Sequence, residues 1–211
     1  MSYAQDERQA LVETFRDVGP DAPTLCEGWT TRDLAAHLVV RERRLDAAPG
    51  ILIKALAGHT AKVQDKVAAE AGWSKLLDDI ASGPPIYSPM KPVDRWANLA
   101  EYFIHHEDVL RGAADPTSDW QPRRLDPGLE KALLTPLKTM GKMSVRSLPA
   151  DVSLCLPDGT VALRGGSGPA VTVTGPVGEL ILFATGRKPV AVTFDGDPAA
   201  IEAVKAGVHG F

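Results

Sequence analysis

Cysteine is scarce in this sequence. The 211 residues contain two, Cys26 and Cys155. Two cysteines so far apart cannot form a disulfide framework, and they lack the paired spacing of a structural zinc site. We therefore expect a protein of a reducing compartment, the cytoplasm.

Long apolar runs and a large excess of one charge are also missing. No apolar stretch approaches the roughly 18 to 20 residues that span a bilayer. The first ten residues, MSYAQDERQA, are polar and mixed in charge, unlike a secretion signal. The 23 basic and 27 acidic residues give a net charge of −4, with no Lys/Arg run longer than two. We expect neither a nucleic-acid partner nor a membrane partner.

The remaining composition is that of an ordinary globular protein. Hydrophobic residues make up 44% and charged residues 24% of the chain, which argues against intrinsic disorder. A chain of this length forms one large domain or two small ones, each able to bury a core.

The first 148 residues have the periodicity of helices. Breaks at Gly19-Pro20, Pro49-Gly50 and Gly83-Pro84-Pro85 separate them. Thr30 with Asp33 forms a candidate N-terminal capping pair, and Asp126-Pro127 opens the last helix. The predicted helices cover about 5–17, 30–46, 51–71, 74–81, 92–112 and 127–146. This pattern predicts an N-terminal bundle over 1–148.

The pattern changes after Leu148-Pro149, where short β-like runs follow. Residues 152–156 and 160–164 flank a Pro-Asp-Gly turn and predict a hairpin. The remaining predicted elements are strands at 170–174 and 190–194 and helices at 177–185 and 198–206. We expect an α+β protein in which the bundle precedes a small α+β domain over 149–211.

Candidate metal ligands lie in two of the predicted helices. Glu101 and His105 are four residues apart, so both side chains project from one helical face. An imidazole and a carboxylate at this spacing can bind one divalent ion. His37, on the other long helix that carries a histidine, is the natural third ligand. Three protein ligands would leave coordination positions open for water or substrate.

Each of these residues also has a simpler interpretation. A Glu/His pair one turn apart is most often a solvated face. The apolar stripe of the 92–112 helix, built on Trp96, Leu99, Phe103 and Leu110, predicts that His106 is buried and His105 exposed. Alternatively, the His105 side, which includes Asn98, Asp108 and Val109, is a polar cleft against neighbouring helices. His37 borders an apolar stripe and fits a core position. Cys26, in the loop before the second helix, lacks the context of a catalytic cysteine and is expected to be an inert thiol.

Two segments resemble a known family. CEGWTTRDLAAHL (residues 26–38) is similar to the GW-T-x-x-D-L-x-x-H-L signature of the DinB-like superfamily. EYFIHHED (residues 101–108) resembles the E-x-x-x-H-x-x-D motif of its actinobacterial branch related to mycothiol-dependent maleylpyruvate isomerase. Residues 175–186 and 192–197 resemble that branch's small C-terminal domain. The resemblance implies a four-helix-type bundle that holds a divalent metal through His37, Glu101 and His105, with His106 as the alternative third ligand.

The resemblance also implies a function. It points to a mycothiol-dependent transferase or isomerase in which the metal, zinc or alternatively nickel, activates a thiol. Asp108, three residues after His105 on the same side of the helix, is then either the acceptor of its free ring N–H or a surface acid near a helix end. Arg187 becomes a candidate anion clamp, or else a solvated arginine in a turn. The implied partners are a small-molecule thiol and an electrophilic substrate, bound by a monomer or homodimer. The alternative is a non-catalytic metal-binding scaffold or small-ligand-binding protein.

Overall fold

The computed structural model describes residues 2–51, 53–88, 91, 94–113 and 121–208. The chain divides into two compact units, Met1–Ala114 and Asp115–Phe211. The first unit is helical and the second combines helices with a four-stranded sheet. The predicted α+β class, with a helical N-terminal region, is confirmed.

Five α-helices are assigned in the described part of the first unit. They are α1 (Tyr3–Val18), α2 (Thr31–Arg43), α3 (Ala57–Glu70), α4 (Trp73–Ala81) and α5 (Asp94–Leu110). Helix α1 packs along α5, and α2 packs against α3 and α4. The expected start of α5 at Pro92 or Val93 lies outside the described residues. Where a helix was predicted over 51–71, α3 begins only at Ala57, because two 3₁₀ turns, Ala48–Ile51 and Lys54–Leu56, precede it.

The predicted cap of α2 is confirmed. Thr30 is the N-cap, and its backbone N–H donates to Asp33 Oδ2 at 2.9 Å while its hydroxyl accepts from the Asp33 backbone N–H. This reciprocal pair satisfies amides that the first helical turn leaves without partners. It fixes where α2 begins and therefore which side chains, His37 among them, point into the unit.

The apolar core of the first unit is contributed by α1, α2, α4 and α5. Residues such as Leu11, Phe15, Leu34 and Tyr102 are fully buried there. The chain after α5 passes close to the loop before α2. A Cβ on Gly112 would lie 2.1 Å from the carbonyl oxygen of Pro23, so this approach requires glycine.

The second unit contains α6 (Pro127–Val145), β1 (Asp151–Cys155), β2 (Val161–Gly165), β3 (Ala170–Thr174), α7 (Val177–Ala184), β4 (Thr193–Gly196) and α8 (Pro198–Gly207). The strand order is β2-β1-β3-β4. Strand β1 pairs antiparallel with β2, as the predicted hairpin requires, and parallel with β3, which pairs antiparallel with β4.

Helix α6 belongs to the second unit, which differs from the boundary expected at residue 148. It packs against β2 and α7, and it buries Leu133, Leu137 and Val145 on one face. Helical periodicity shows that α6 has an apolar face, but it does not show which partner covers that face. The change from helix to strand near residue 150 is therefore not the division between the units.

None of the helices in the described part of the chain is long and apolar enough to cross a membrane.

Candidate metal centre

His37 lies in the second turn of α2 with its ring held from two sides. Its Nδ1 is 3.3 Å from Gln64 Oε1 on α3, and the Trp29 ring lies 5.2 Å away between centroids. Because an amide oxygen only accepts hydrogen bonds, the Nδ1 position carries the proton when this bond forms. The other ring nitrogen, Nε2, faces Glu101.

Glu101 and His105 lie one turn apart on α5, and the structure brings them to His37. The Nε2 atoms of His37 and His105 are 3.4 Å and 3.3 Å from the same oxygen, Glu101 Oε1. The two imidazole rings are 5.4 Å apart between centroids. The spacing argument and the family resemblance placed these three residues together, and they are adjacent in the structure.

The other ring nitrogen of His105 faces a second carboxylate. Nδ1 lies 2.9 Å from Asp108 Oδ2, and the Asp108 side chain is fully buried. Burial disfavours the charged imidazole, but hydrogen bonds to Asp108, Cys26 and Glu101 outweigh it and raise the pKa of His105 well above its usual value. Asp108 is thus buried and within hydrogen-bonding distance of the ring, not a surface acid, and its role beside a bound metal stays a prediction.

Arg41 is the cation nearest to Glu101. Its Nε lies 3.3 Å from Glu101 Oε1, and its guanidinium also bonds to Asn98 Oδ1. Burial alone would raise the pKa of Glu101, but the charge of Arg41 and the hydrogen bonds from both histidines lower it well below its usual range. Glu101 is therefore ionised, and its carboxylate can bind a cation.

A network of buried polar side chains is connected to Arg41 through Asn98. Asn98 Nδ2 donates to Glu42 Oε1 at 2.8 Å, and the Tyr102 hydroxyl donates to the same oxygen at 2.7 Å. Arg8 lies 3.6 Å from that oxygen. Burial and the nearby charge of Glu42 raise the pKa of Tyr102, so its hydroxyl remains a donor. These residues hold Asn98 and, through it, Arg41 in place.

His106, the alternative third ligand, contacts α1 and not the other candidate ligands. Its Nδ1 lies 2.8 Å from Glu7 Oε1 and its Nε2 2.9 Å from Thr14 Oγ1, both on α1. The apolar stripe correctly predicted a buried His106, but its prediction of an exposed His105 is wrong, because His105 is 8% exposed. Side chains of α2 and the preceding loop cover the face of α5 that the stripe leaves polar.

Arg187 lies in the second unit, in the turn after α7. It is half-buried, and its Nη1 donates to the backbone oxygen of Thr185 at 2.9 Å. This bond holds the guanidinium close to its own turn. Its proposed role as an anion clamp stays a prediction.

Among the described residues, two groups of three potential metal ligands have donor atoms within 4.8 Å of one another. The first is His37, Glu101 and His105, and the second is Cys26, His105 and Asp108. The first group fits a divalent cation, since both histidines have Nδ1 occupied and direct Nε2 toward one ionised carboxylate. The Glu101 side chain is 22% exposed, more than those of the two histidines.

Sequence reasoning did not assign roles to three residues that contact this group. Arg41 follows His37 by one turn, so its position on the same face could have been predicted. Gln64 and Cys26 lie on other segments, and no local pattern connects them to the two histidines. Their contacts depend on how α3 and the loop before α2 pack.

Two solved structures resemble the chain over most of its length. The crystal structure of the mycothiol-dependent maleylpyruvate isomerase has a TM-score of 0.53 at 16% identity, covering 92% of this chain and 90% of that one. A histidine-to-alanine variant of that isomerase has a TM-score of 0.50 with the same identity and coverage. At this identity the likeness shows a common fold. No curated protein sequence matches the chain.

The fold and the site define an α+β protein whose helical N-terminal unit carries a candidate His/Glu/His metal centre. The sequence model described as mycothiol maleylpyruvate isomerase N-terminal domain matches residues 3–129. The chain therefore belongs to this family, as the two motifs predicted.

Proposed function

We propose that this protein is a metal-dependent enzyme that uses a small thiol, mycothiol, to transfer or isomerise an electrophilic substrate. The observation that carries the proposal is the convergence of His37 Nε2 and His105 Nε2 on Glu101 Oε1, at 3.4 Å and 3.3 Å. The family's name supplies the thiol and suggests a substrate of the maleylpyruvate class. The reaction is proposed to take place in the cytoplasm.

His37, Glu101 and His105 would hold the cation. Two imidazoles and a carboxylate suit zinc, and nickel is the next candidate. A bound divalent cation supplies a Lewis acid, beside which a thiol loses its proton near neutral pH. Gln64 and Asp108 keep the two rings in place, so that binding requires little rearrangement of side chains.

Two arginines are candidates for binding an anionic substrate. Arg41 already pairs with Glu101, and its guanidinium carries donors in addition to Nε. Arg187 is proposed to bind a substrate carboxylate. If it does, Arg187→Ala should raise the KM for a carboxylated electrophile and leave the metal content unchanged.

The first experiment measures the metal content of purified protein by elemental analysis. His37→Ala and Glu101→Ala should each lose the bound metal, because each removes one of three ligands. His106→Ala is the matched control: it removes an adjacent imidazole outside the group and should retain the metal. Unchanged metal content in both ligand variants contradicts the proposed centre.

The second experiment tests catalysis. The metal-loaded protein is incubated with mycothiol and a panel of electrophiles, and cobalt-substituted protein is examined for a thiol-induced change in its absorption spectrum. Turnover together with the spectral change supports the enzyme. If the protein shows no turnover and no spectral change, the result favours the alternative of a non-catalytic metal-binding scaffold or small-ligand-binding protein.

A further inference from the structure

Cys26 occupies a fixed position beside the candidate centre. Its Sγ lies 3.2 Å from Asp108 Oδ2, the oxygen that is also 2.9 Å from His105 Nδ1. The loop is held against α5 because the backbone N–H of Leu25 donates to the Asp108 carbonyl at 3.0 Å. Within the loop, the Trp29 N–H donates to the Cys26 carbonyl at 2.9 Å. The contact of the thiol with Asp108 is therefore accompanied by a backbone hydrogen bond that joins the same loop to α5.

The two nitrogens of His105 face different groups of ligands. Nε2 faces Glu101 and His37, whereas Nδ1 faces Asp108 and Cys26. The second group combines a thiol, an imidazole and a carboxylate, with donor atoms that lie within 4.8 Å of one another. This donor set differs from the first by its sulfur, which favours softer cations.

We propose that Cys26 Sγ, His105 Nδ1 and Asp108 Oδ2 form a second metal site, which binds an added soft divalent cation such as cadmium. Binding displaces two protons, one from the thiol of Cys26 and one from Nδ1 of His105. The site requires neither His37 nor Glu101, and it uses the nitrogen of His105 that donates to Asp108 when the first centre is occupied. The two sites are therefore alternative uses of His105, and the second is tested in variants that lack another ligand of the first.

The competing interpretation is a hydrogen-bonded chain. In it the thiol and Nδ1–H both donate to Asp108 Oδ2, and Cys26 only helps to orient His105. The two interpretations differ in whether Cys26 Sγ bonds to a metal. A thiolate bound to cobalt gives an intense sulfur-to-metal charge-transfer absorption that nitrogen and oxygen ligands do not produce.

The test uses His37→Ala protein, in which the first centre is disrupted, titrated with cobalt and then with cadmium. One equivalent of cobalt should produce the charge-transfer band. Adding Cys26→Ala should abolish the band and weaken cadmium binding by at least about 100-fold, the upper end of what loss of an outer-shell partner costs. Cys155→Ala removes the chain's other thiol, in β1, and is the matched control that should retain the band.

Glu101→Ala disrupts the first centre by a separate route, so the result does not depend on one variant folding. Absence of the band in both backgrounds, with native circular dichroism spectra, overturns the second site. That result leaves the first centre intact if wild-type protein still binds metal. The converse result is a sulfur-to-metal charge-transfer band in a protein whose metal content does not change with His37→Ala. That result supports the second site and contradicts the first.

Discussion

The two units of the molecule bury different kinds of side chain. The first unit buries charged residues in pairs, among them Glu42 with Arg8 and Glu107 with Arg111, whose closest atoms are 3.6 Å and 2.7 Å apart. In the described part of the second unit, the buried polar side chains are Glu179 and Thr185. The first unit is therefore held together partly by partnered charges, and the second mainly by apolar packing.

This difference bears on where chemistry takes place. Burying a charge without a partner is expensive, so a unit that retains many buried charges must pair them closely. The same pairing holds Arg41, His37 and His105 around Glu101. We therefore expect substitutions of the buried charged residues of the first unit to affect stability or metal binding, and core substitutions in the second unit to affect stability without affecting metal binding.

The largest effect is expected from Glu42→Gln. It removes the buried charge that Arg8 faces at 3.6 Å, and breaking a buried ion pair should lower the free energy of unfolding by about 3 to 5 kcal/mol. Urea denaturation checks this value. Glu13→Gln, on the exposed face of α1, is the control and should change stability by less than about 0.5 kcal/mol. Equal effects in the two variants would show that the network does not stabilise the unit.

A core truncation in the second unit comes next. Leu154 is fully buried in β1, and Leu154→Ala should cost about 2 to 5 kcal/mol by leaving a cavity. The metal content of the folded variant should equal that of the wild type. Thermal denaturation and elemental analysis on the same sample measure both. Loss of metal at a temperature where the variant is folded would contradict the separation of roles between the units.

A smaller effect, of opposite sign, is expected from Arg41→Met. Arg41 competes with a cation for Glu101 Oε1, so removing its charge should tighten metal binding by about tenfold, or about 1.4 kcal/mol. Isothermal titration with zinc measures the change. Arg41→Lys keeps the charge and should bind metal like the wild type. Weaker binding in the methionine variant would mean that Arg41 positions Glu101 more than it competes for it.

The smallest effect is expected at an exposed ion pair of the second unit. Arg164 donates from Nε to Asp151 Oδ1 at 2.9 Å, and this bond lowers the pKa of Asp151. Arg164→Ala should return that pKa toward its ordinary value. The native pair stabilises only above the unfolded pKa, and this contribution is lost as pH falls through the folded pKa. Because the pair is solvated, this contribution is small, and Tm at pH 7 should fall only slightly. NMR titration of Asp151 and a thermal melt test both statements.

Local sequence patterns predicted most of the elements in this molecule. The Thr30/Asp33 pair marks the start of α2, and Asp126-Pro127 marks the start of α6. The predicted strand over 170–174 is β3, and the hairpin strands are shifted by one residue. Caps and turns act through neighbouring residues, so a short stretch of sequence contains their physical cause.

The features that sequence did not predict depend on contacts between distant segments. The i, i+4 spacing predicted that Glu101 and His105 lie on one helical face. His37 was added because it lies on the other long helix that carries a histidine, and because of the family resemblance. Arg41, Gln64 and Cys26 meet these residues only because α2, α3 and the preceding loop pack around α5. The assignment of α6 to the second unit has the same origin, since periodicity identifies an apolar face but not what covers it.

The order of the ligands along the chain has a consequence for how the protein acquires metal. His37, Glu101 and His105 all lie within the first 105 residues, and 211 − 105 = 106 residues follow the last ligand. At a synthesis rate of about 5 to 20 residues per second, those residues take roughly 5 to 20 s to translate. The first unit could therefore fold, and bind the proposed ion, while the second is still being made on the ribosome.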